Sequence, residues 1–208
     1  INIEENTDIH DQLKDCDGIL LTPGFGERAV EGMIKSAEYA MENKIPFLGI
    51  CFGAQLFFIA FCRKYLSLKN ANSTEIDPNT PYPVVDILES QKDVTEKGGT
   101  MRLGAQKIVV EKNTRLYEAY KQQEIFERYR HRFHIQERFI TAEAKEKGLL
   151  VSSRDEKGEI INSIELNRKD HWMVGVQFHP EFKSRPYSAS PCYAAFIKEC
   201  LIFKKSKK

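Results

Sequence analysis

The apolar residues in the first third of the chain follow two alternating patterns. Residues 17–22 (DGILLT) and 46–50 (PFLGI) are short continuous apolar runs, and each predicts a buried strand. Residues 27–43 carry apolar side chains at helical spacing, and residues 52–66 are strongly apolar over a helix length. Strand, helix, strand and helix with short connections predict a parallel sheet with helices on its faces.

The remainder of the chain is less regular. Residues 70–83 are polar and contain three prolines, and residues 91–99 are charged and end in Gly-Gly, so both segments are predicted to be loops. Residues 84–88 fit the start of a strand or of a helix. Further strands are predicted at 107–110, 149–152, 160–166 and 172–178, and a final helix at 191–203. Without an internal repeat or a long linker, the pattern predicts one α/β domain over residues 1–208, with a Rossmann-like, mostly parallel sheet and helices on both faces.

Composition excludes several classes of protein. The 208 residues are enough to bury roughly 70% of the unfolded surface, and the net charge of +1 gives no bias toward nucleic acid or an anionic membrane. No apolar run approaches the roughly 18 residues of a membrane helix. The five cysteines are odd in number and form no C-x-x-C pair, so a disulfide framework and a zinc ribbon are poorly supported. A reducing cytoplasm is the simplest expected location.

Residues 49–53 (GICFG) have the form G-x-C-x-G, the cysteine counterpart of the G-x-S-x-G nucleophile elbow. A nucleophile on a sharp strand-to-helix turn has a strained backbone, and the residues two positions away on either side come too close for a Cβ. The following helix N-terminus is expected to lower the pKa of the Cys51 thiol. A buried core cysteine beside two packing glycines explains an isolated G-x-C-x-G equally well, so this motif alone leaves both interpretations open.

A cysteine nucleophile requires a base, and the base requires a group that orients it. Among the five histidines, His179 directly follows the predicted strand at 172–178 and is itself followed by Pro180 and Glu181. Catalytic groups in parallel α/β sheets gather at the carboxyl ends of strands, where Cys51 and His179 are both predicted. Glu181 is near enough in sequence to reach back to the imidazole. Together these residues predict a catalytic triad.

Two other patterns point to functions that the rest of the sequence does not support. Residues 126–139 (FERYRHRFHIQERF) interleave basic and aromatic side chains, a pattern that can bind nucleic acid. The near-neutral total charge and the lack of a second basic cluster argue against nucleic acid as a partner. His131 and His134 have the spacing H-x-x-H, but no carboxylate or cysteine stands at a suitable distance along the chain, so no metal site is predicted.

The combination of GICFGAQ and QFHPEF resembles the class I (triad) glutamine amidotransferases, whose Cys-His-Glu triad hydrolyses glutamine through a γ-glutamyl thioester. Five longer stretches narrow the resemblance to the glutaminase domains of the CTP synthase family: DGILLTPGFGERAVEGMI, NSTEID, KGGTMRLGAQ, ERYRHRF and QFHPEFKSRPYSASP. The resemblance covers essentially the whole chain but begins part-way into that domain, at Ile1. It therefore implies that the first strand and helix of the family and its N-terminal synthetase domain are absent.

The resemblance also implies roles for individual residues. Cys51 would be the nucleophile, His179 the general base and acid, and Glu181 the group that orients His179. Contacts to L-glutamine are implied for Gly24, Phe52, Gly53, Ala54, Gln55, Glu75 and Arg132. Within that set, Gly24 and Phe52 would supply oxyanion N–H groups, Glu75 would bind the α-ammonium group, and Arg132 would bind the α-carboxylate. Arg102, in GGTMRLG, is a candidate contact for GTP as an allosteric activator, although an ordinary hairpin connection explains that loop equally well.

The function implied is the glutaminase half of an amidoligase of pyrimidine biosynthesis. Ammonia released here would pass to the synthetase domain, which uses ATP and Mg²⁺ to aminate UTP to CTP. No cofactor or metal is expected on this chain, and the full-length protein is expected to be a cytoplasmic homotetramer. One alternative is another class I amidotransferase or a γ-glutamyl hydrolase, against which GGTMRLG and ERYRHRF argue. A second alternative is a catalytically inactive regulatory module, against which the intact triad argues.

Overall fold

The computed structural model describes residues 8–27, 29–87, 102–169 and 171–207. The loop predicted at 91–99 and the first four residues of GGTMRLG lie outside these ranges. The helices are α1 (Ile9–Leu13), α2 (Val30–Asn43), α3 (Phe52–Tyr65), α4 (Arg115–Tyr120), α5 (Ala142–Glu146) and α6 (Pro191–Ser206). The strands are β1 (Ile19–Leu21), β2 (Phe47–Ile50), β3 (Ala71–Ser73), β4 (Tyr82–Asp86), β5 (Arg102–Val110), β6 (Glu124–His131), β7 (His134–Ile135), β8 (Leu149–Asp155), β9 (Ile161–Leu166) and β10 (Met173–Val176).

The main sheet has seven strands in the order β1-β2-β10-β9-β8-β5-β6. Strands β1, β2 and β10 are parallel to one another, whereas every other neighbouring pair is antiparallel. The α/β class is confirmed, but the prediction of a mostly parallel sheet is wrong for the described residues. The reason lies in the connections: β8, β9 and β10 follow one another through short turns without a crossover helix, and such turns join antiparallel neighbours.

Helices cover both faces of the parallel part of the sheet, as predicted. Side chains of β2 alternate between the faces, because Phe47 joins the core that contains α2 and α3, while Leu48 and Ile50 join the core that contains Leu116 of α4 and Phe196 of α6. The parallel strands β2 and β10 are therefore buried on both sides. Their carboxyl ends meet at one edge of this layered core.

A second, three-stranded sheet lies in the order β3-β4-β7. Strand β3 and the first two residues of β4 fall in residues 70–83, so the prediction of a loop there is wrong in part. The rest of β4 confirms the strand alternative for residues 84–88, the last of which lies outside the described residues.

Strand β3 is short and polar, whereas β4 buries Val84 and Val85 in the core. The turn after β3 is held by backbone bonds, since the N–H groups of Ile76 and Asp77 both donate to the carbonyl of Ser73. No apolar alternation marks β3 in the sequence.

The other predicted elements are confirmed with shifted ends. Strand β5 begins five residues before its prediction, and it pairs over eight residues with β6, which the pattern did not predict. The short helices α1, α4 and α5 were also not predicted. Within the described ranges, no helix is both long and apolar enough to cross a membrane.

Candidate active site

Cys51 lies in a sharp turn between β2 and α3. Its backbone has φ 52° and ψ −103°, a strained conformation for a residue with a side chain, and it stands at the N-cap position of α3. The backbone N–H of Cys51 donates to the carbonyl of Val176 at the end of β10, at 2.7 Å. The elbow predicted from G-x-C-x-G is therefore present, and the core-cysteine interpretation does not explain the strained turn.

The flanking glycines are required by close backbone contacts, as predicted. A Cβ on Gly49 would lie 2.6 Å from the carbonyl oxygen of Gly53, and a Cβ on Gly53 would lie 2.4 Å from that of Leu21. Both distances are far below van der Waals contact, and the oxygens belong to the backbone, so they cannot rotate away. The elbow thus fits between β1 and the start of α3 only without side chains at these two positions.

Cys51 is buried, with 5% of the residue exposed. Burial raises its pKa to about 12, and this outweighs the Phe52 backbone N–H and the Gln177 carboxamide, which both favour the thiolate. The expectation that the helix N-terminus lowers the pKa is therefore wrong in net direction. The resting group is a thiol, and its deprotonation requires a base close by.

His179 follows β10 and carries a carboxylate partner. Its Nδ1 atom lies 2.6 Å from Oε1 of Glu181, and its ring stacks on Phe182 at 4.8 Å between centroids. Among the described residues, no hydrogen-bond partner lies near the buried Nε2 atom. When Nδ1–H donates to Glu181, Nε2 carries a free lone pair that can accept a proton.

A cavity of about 420 Å³ brings most of the predicted residues together. Its lining contains Gly24, Cys51, Phe52, Gln55, Glu75, Arg132 and His179 from the predicted set. Five further residues line it: Pro23, Phe25, Arg130, His131 and Phe133. The cavity therefore joins the elbow to the loops after β1, β3 and β6.

Opposite charges stand on the wall of this cavity. Burial raises the pKa of the Glu75 carboxyl, and the positive charge of Arg132 and a backbone N–H from Gly26 oppose that shift. Gln55 is 2% exposed, and its Nε2 atom donates to the carbonyl of Phe133 at 2.9 Å. A half-buried carboxylate and a guanidinium in one cavity are suited to a zwitterionic amino acid.

Four predicted residues lie outside the cavity lining: Glu181, which is bonded to His179, and Gly53, Ala54 and Arg102. Gly53 faces the backbone of Leu21, and the Cβ of Ala54 packs beside Gly175 of β10. Arg102 is 9% exposed, with its guanidinium 3.9 Å from the ring centroid of Tyr129 and hydrogen-bonded to Asn162. The structure thus directs Arg102 into the protein, and the predicted contact with GTP stays a prediction.

Sequence reasoning missed several residues that contact the nucleophile or the cavity. Gln177 donates from Nε2 to the Cys51 sulfur at 3.6 Å, and His131 is buried against the cavity. The position of Gln177, two residues before His179 at the end of a strand, is the signal that could have revealed it. No group of three or more His, Cys, Asp or Glu side chains suited to a metal occurs within the described part of the chain.

Comparisons with known proteins agree with this geometry. The family model for "Glutamine amidotransferase class-I" matches residues 1–199. A CTP synthase from Caldanaerobacter subterraneus subsp. tengcongensis is 46% identical over 98% of the chain, and one from Sulfurisphaera tokodaii is 46% identical over 95%. The chain spans 38% and 36% of the lengths of these two curated relatives.

A solved structure extends the comparison to three dimensions. The glutaminase domain of Trypanosoma brucei CTPS with bound acivicin has a TM-score of 0.84 and is 31% identical, with 92% of this chain and 74% of that chain covered. The chain belongs to the class I glutamine amidotransferase family, and within it to the glutaminase domains of CTP synthases. The resemblance drawn from GICFGAQ, QFHPEF and the longer stretches is confirmed.

Proposed function

We propose that this chain hydrolyses L-glutamine at Cys51 and supplies ammonia to a CTP synthase reaction. The observation that carries the proposal is one cavity lined by Cys51 and His179 and by the opposite charges of Glu75 and Arg132. A nucleophile with a base within the same cavity supports acyl transfer. The charged pair supports an amino-acid substrate, and the family supports glutamine.

In the first half of the reaction, the Cys51 sulfur attacks the side-chain amide carbon of glutamine. His179 accepts the thiol proton at Nε2, and the resulting imidazolium is stabilised by Glu181 at Nδ1. The tetrahedral oxyanion is held by the backbone N–H groups of Gly24 and Phe52, an interaction typically worth about 3 kcal/mol. The C–N bond then breaks, and the leaving nitrogen takes the proton from His179 and departs as ammonia.

In the second half, water hydrolyses the γ-glutamyl thioester. His179, now neutral, accepts a proton from the water as its oxygen attacks the thioester carbon. The C–S bond breaks, glutamate leaves, and the sulfur takes the proton back. Burial of the thiol supports this cycle, because a sulfur that rests in the protonated form returns to that form at the end of each turnover.

The glutamine backbone groups would be bound at the cavity wall. Glu75 receives the α-ammonium group and Arg132 receives the α-carboxylate, which leaves the side-chain amide directed toward Cys51. Gln55 borders the same cavity and contacts the loop that carries Arg132 through the Phe133 carbonyl. Gly53 and Ala54 support the site by packing against β1 and β10.

The remaining steps belong to the part of the relatives that this chain does not span. We assign the ATP-dependent amination of UTP to CTP, with Mg²⁺, to an N-terminal synthetase domain in a cytoplasmic homotetramer. The chain would then be a glutaminase domain over residues 1–208. GTP activation through Arg102 would require its guanidinium to leave Tyr129 and Asn162.

Labelling with a glutamine analogue tests the proposed nucleophile. Acivicin or a diazoketone analogue is expected to modify one thiol per chain, and Cys51→Ala should abolish the modification, as measured by intact mass and peptide mapping. In the full-length protein, the same variant should lose glutamine-dependent CTP formation and retain formation from added ammonium salt. Retention of ammonia-dependent activity separates the glutaminase site from the synthetase site.

Cys62 offers a matched control. It lies in α3, the helix that follows Cys51, is fully buried and has a pKa raised by burial, but it packs in the apolar core with α2. Cys62→Ala should therefore be labelled as completely as the unaltered chain. Labelling that persists in Cys51→Ala would overturn the assignment of the nucleophile.

A further inference from the structure

The end of β10 holds Cys51 at two points. Strands β2 and β10 are parallel, with Ile50 opposite Val176, and the backbone N–H of Cys51 donates to the carbonyl of Val176 at 2.7 Å. The next residue along the chain, Gln177, places its Nε2 atom 3.6 Å from the Cys51 sulfur. Consecutive residues thus hold the backbone and the side chain of the proposed nucleophile.

The orientation of the Gln177 carboxamide follows from its neighbours. Nε2 of Gln55 lies 2.9 Å from the backbone carbonyl of Phe133, an atom that can accept but not donate, so this end of Gln55 must be its NH₂ group. The same Nε2 atom lies 3.2 Å from Gln177 and therefore faces its oxygen. The remaining end of Gln177, directed at the Cys51 sulfur, is the NH₂ group.

This chain of donors is shielded from water. Gln177 is 1% exposed and Gln55 is 2% exposed, so neither carboxamide can exchange its partners for solvent. Hydrogen bonds of buried groups are stronger electrostatically than those in water, and a donor bonds more strongly to an anion than to a neutral group. A buried NH₂ group beside the sulfur therefore stabilises a thiolate more than a thiol.

We propose that Gln177 is a positioning residue that holds the Cys51 sulfur for attack and stabilises it as it loses its proton. The proposal rests on the function proposed above. Gln177 acts through Cys51 and does not line the cavity, so it affects the chemical step and leaves the binding of glutamine unchanged. Through Gln55 it also fixes the sulfur relative to the Phe133 carbonyl, next to Arg132.

Two variants at this position separate donation from packing. Gln177→Met has nearly the same volume and removes both polar atoms. Gln177→Glu keeps an acceptor for Gln55 and, once its buried carboxyl is ionised toward pH 9, presents to the sulfur an oxygen that cannot donate. Gln136→Met is the matched control, because the Gln136 carboxamide is bound elsewhere, to the backbone carbonyls of Asp86 and His134. Thermal unfolding of all three variants establishes that they are folded.

Both Gln177 variants should lower kcat for glutamine and the maximal rate of inactivation by acivicin about tenfold, with KM and the inhibitor half-saturation concentration within twofold. Alkylation of Cys51 by iodoacetamide between pH 7 and 9 should also slow about tenfold, which corresponds to one pKa unit. Peptide mapping allows Cys16, which is partly exposed, to serve as the internal reference in the same molecules. Gln136→Met should match the unaltered chain in every measurement.

Wild-type kinetics in either folded Gln177 variant would overturn the proposal, as would a rise in KM that accounts for the whole loss. An equal loss in Gln136→Met would also overturn it, because the effect would then be general. If Gln177→Met unfolds, the kinetics and the Cys51 alkylation rate of Gln177→Glu test the proposal instead. A chain that neither hydrolyses glutamine nor reacts with acivicin at Cys51 would instead refute the proposed function.

Discussion

The candidate active site contains two regions that are built in opposite ways. The elbow, residues 49–53, is enclosed by β1, β10 and α3, and a Cβ added to either of its glycines would lie less than 3 Å from backbone atoms. The cavity mouth, formed by Phe25, Glu75 and Arg132, comes from loops, and the Phe25 side chain is 89% exposed. The elbow is fixed by backbone packing, whereas the mouth is defined by charged side chains.

This difference separates the proposed chemistry from substrate recognition. A nucleophile in a strained conformation persists only where its surroundings determine it, and here the main sheet does so on both sides of Cys51. At the mouth, Glu75 and Arg132 stand outside the helices and strands. Changes in the elbow should therefore damage the reaction as a whole, while changes at the mouth should change affinity in a graded manner.

The largest effect is expected for Gly53→Ala. Its Cβ would lie 2.4 Å from the Leu21 carbonyl oxygen, so β1 and the start of α3 must separate and displace the Cys51 sulfur. A displacement of about 1 Å at a reacting centre costs about 100-fold in rate. Glutamine hydrolysis should fall at least that far in kcat, and the melting temperature should fall as well.

Gly158→Ala serves as the control for adding a methyl group. Gly158 has φ 77° in an exposed turn and no atom within 4 Å of a Cβ position. It should cost about 1 kcal/mol of stability through backbone strain and leave kcat unchanged. A Gly53→Ala chain with normal kcat and melting temperature would show that the elbow tolerates movement, and the contrast between the two regions would fail.

The elbow could be predicted from the sequence because its signals are local. Apolar runs mark β2 and α3, and two glycines at fixed spacing mark the turn with Cys51 at its centre. His179 and Glu181 are also local signals, since they follow directly on a strand. What the motif could not give is the protonation state of Cys51, because burial depends on helices and strands that are distant in sequence.

Strand β6 shows why other parts could not be predicted. Its side chains alternate strictly between exposed and buried, but three of the buried ones are Glu127, Tyr129 and His131. A search for apolar alternation does not detect a strand whose inward face is polar. Because residues 126–139 were interpreted as a basic and aromatic segment, neither the long pairing of β6 with β5 nor this wall of the cavity was predicted.

At the mouth, Arg132→Leu should weaken substrate binding. If Arg132 binds the α-carboxylate of glutamine, removal of this charged hydrogen bond costs about 2 kcal/mol, or roughly 30-fold in KM. The value of kcat should change much less, because the elbow is untouched. Steady-state kinetics with glutamine, together with the half-saturation concentration of acivicin, measure the two effects separately.

Arg138→Leu is the matched control for Arg132. Each guanidinium lies over the ring of the phenylalanine that follows it, at 5.7 Å for Arg132 and 5.3 Å for Arg138. Arg138 does not line the cavity, so its replacement should leave KM unchanged. An equal rise in KM for both variants, or a loss confined to kcat in Arg132→Leu, would contradict the assigned role.

The last effect concerns stability and not activity, at His134 of β7, two residues after Arg132. Burial, reinforced by the positive charge of Arg102 and opposed by Asp155, lowers the pKa of His134 to about 4. In the unfolded chain the pKa of His134 is near 6.5, so its imidazole is protonated at pH 5, whereas in the folded chain it stays neutral. His134 therefore reduces the free energy of unfolding as the pH falls from 7 to 5. The loss is about 2 kcal/mol at pH 5.

His134→Phe should remove that part of the pH dependence, because the replacement ring keeps the packing against His131 but cannot be protonated. Urea unfolding at pH 7 and pH 5 should therefore show a smaller difference in unfolding free energy for this variant, by about 2 kcal/mol. His10→Phe is the control, since the His10 side chain is 65% exposed on α1. An unaltered pH dependence in His134→Phe would mean that the small sheet admits the proton without unfolding, and that the mouth is looser than its burial implies.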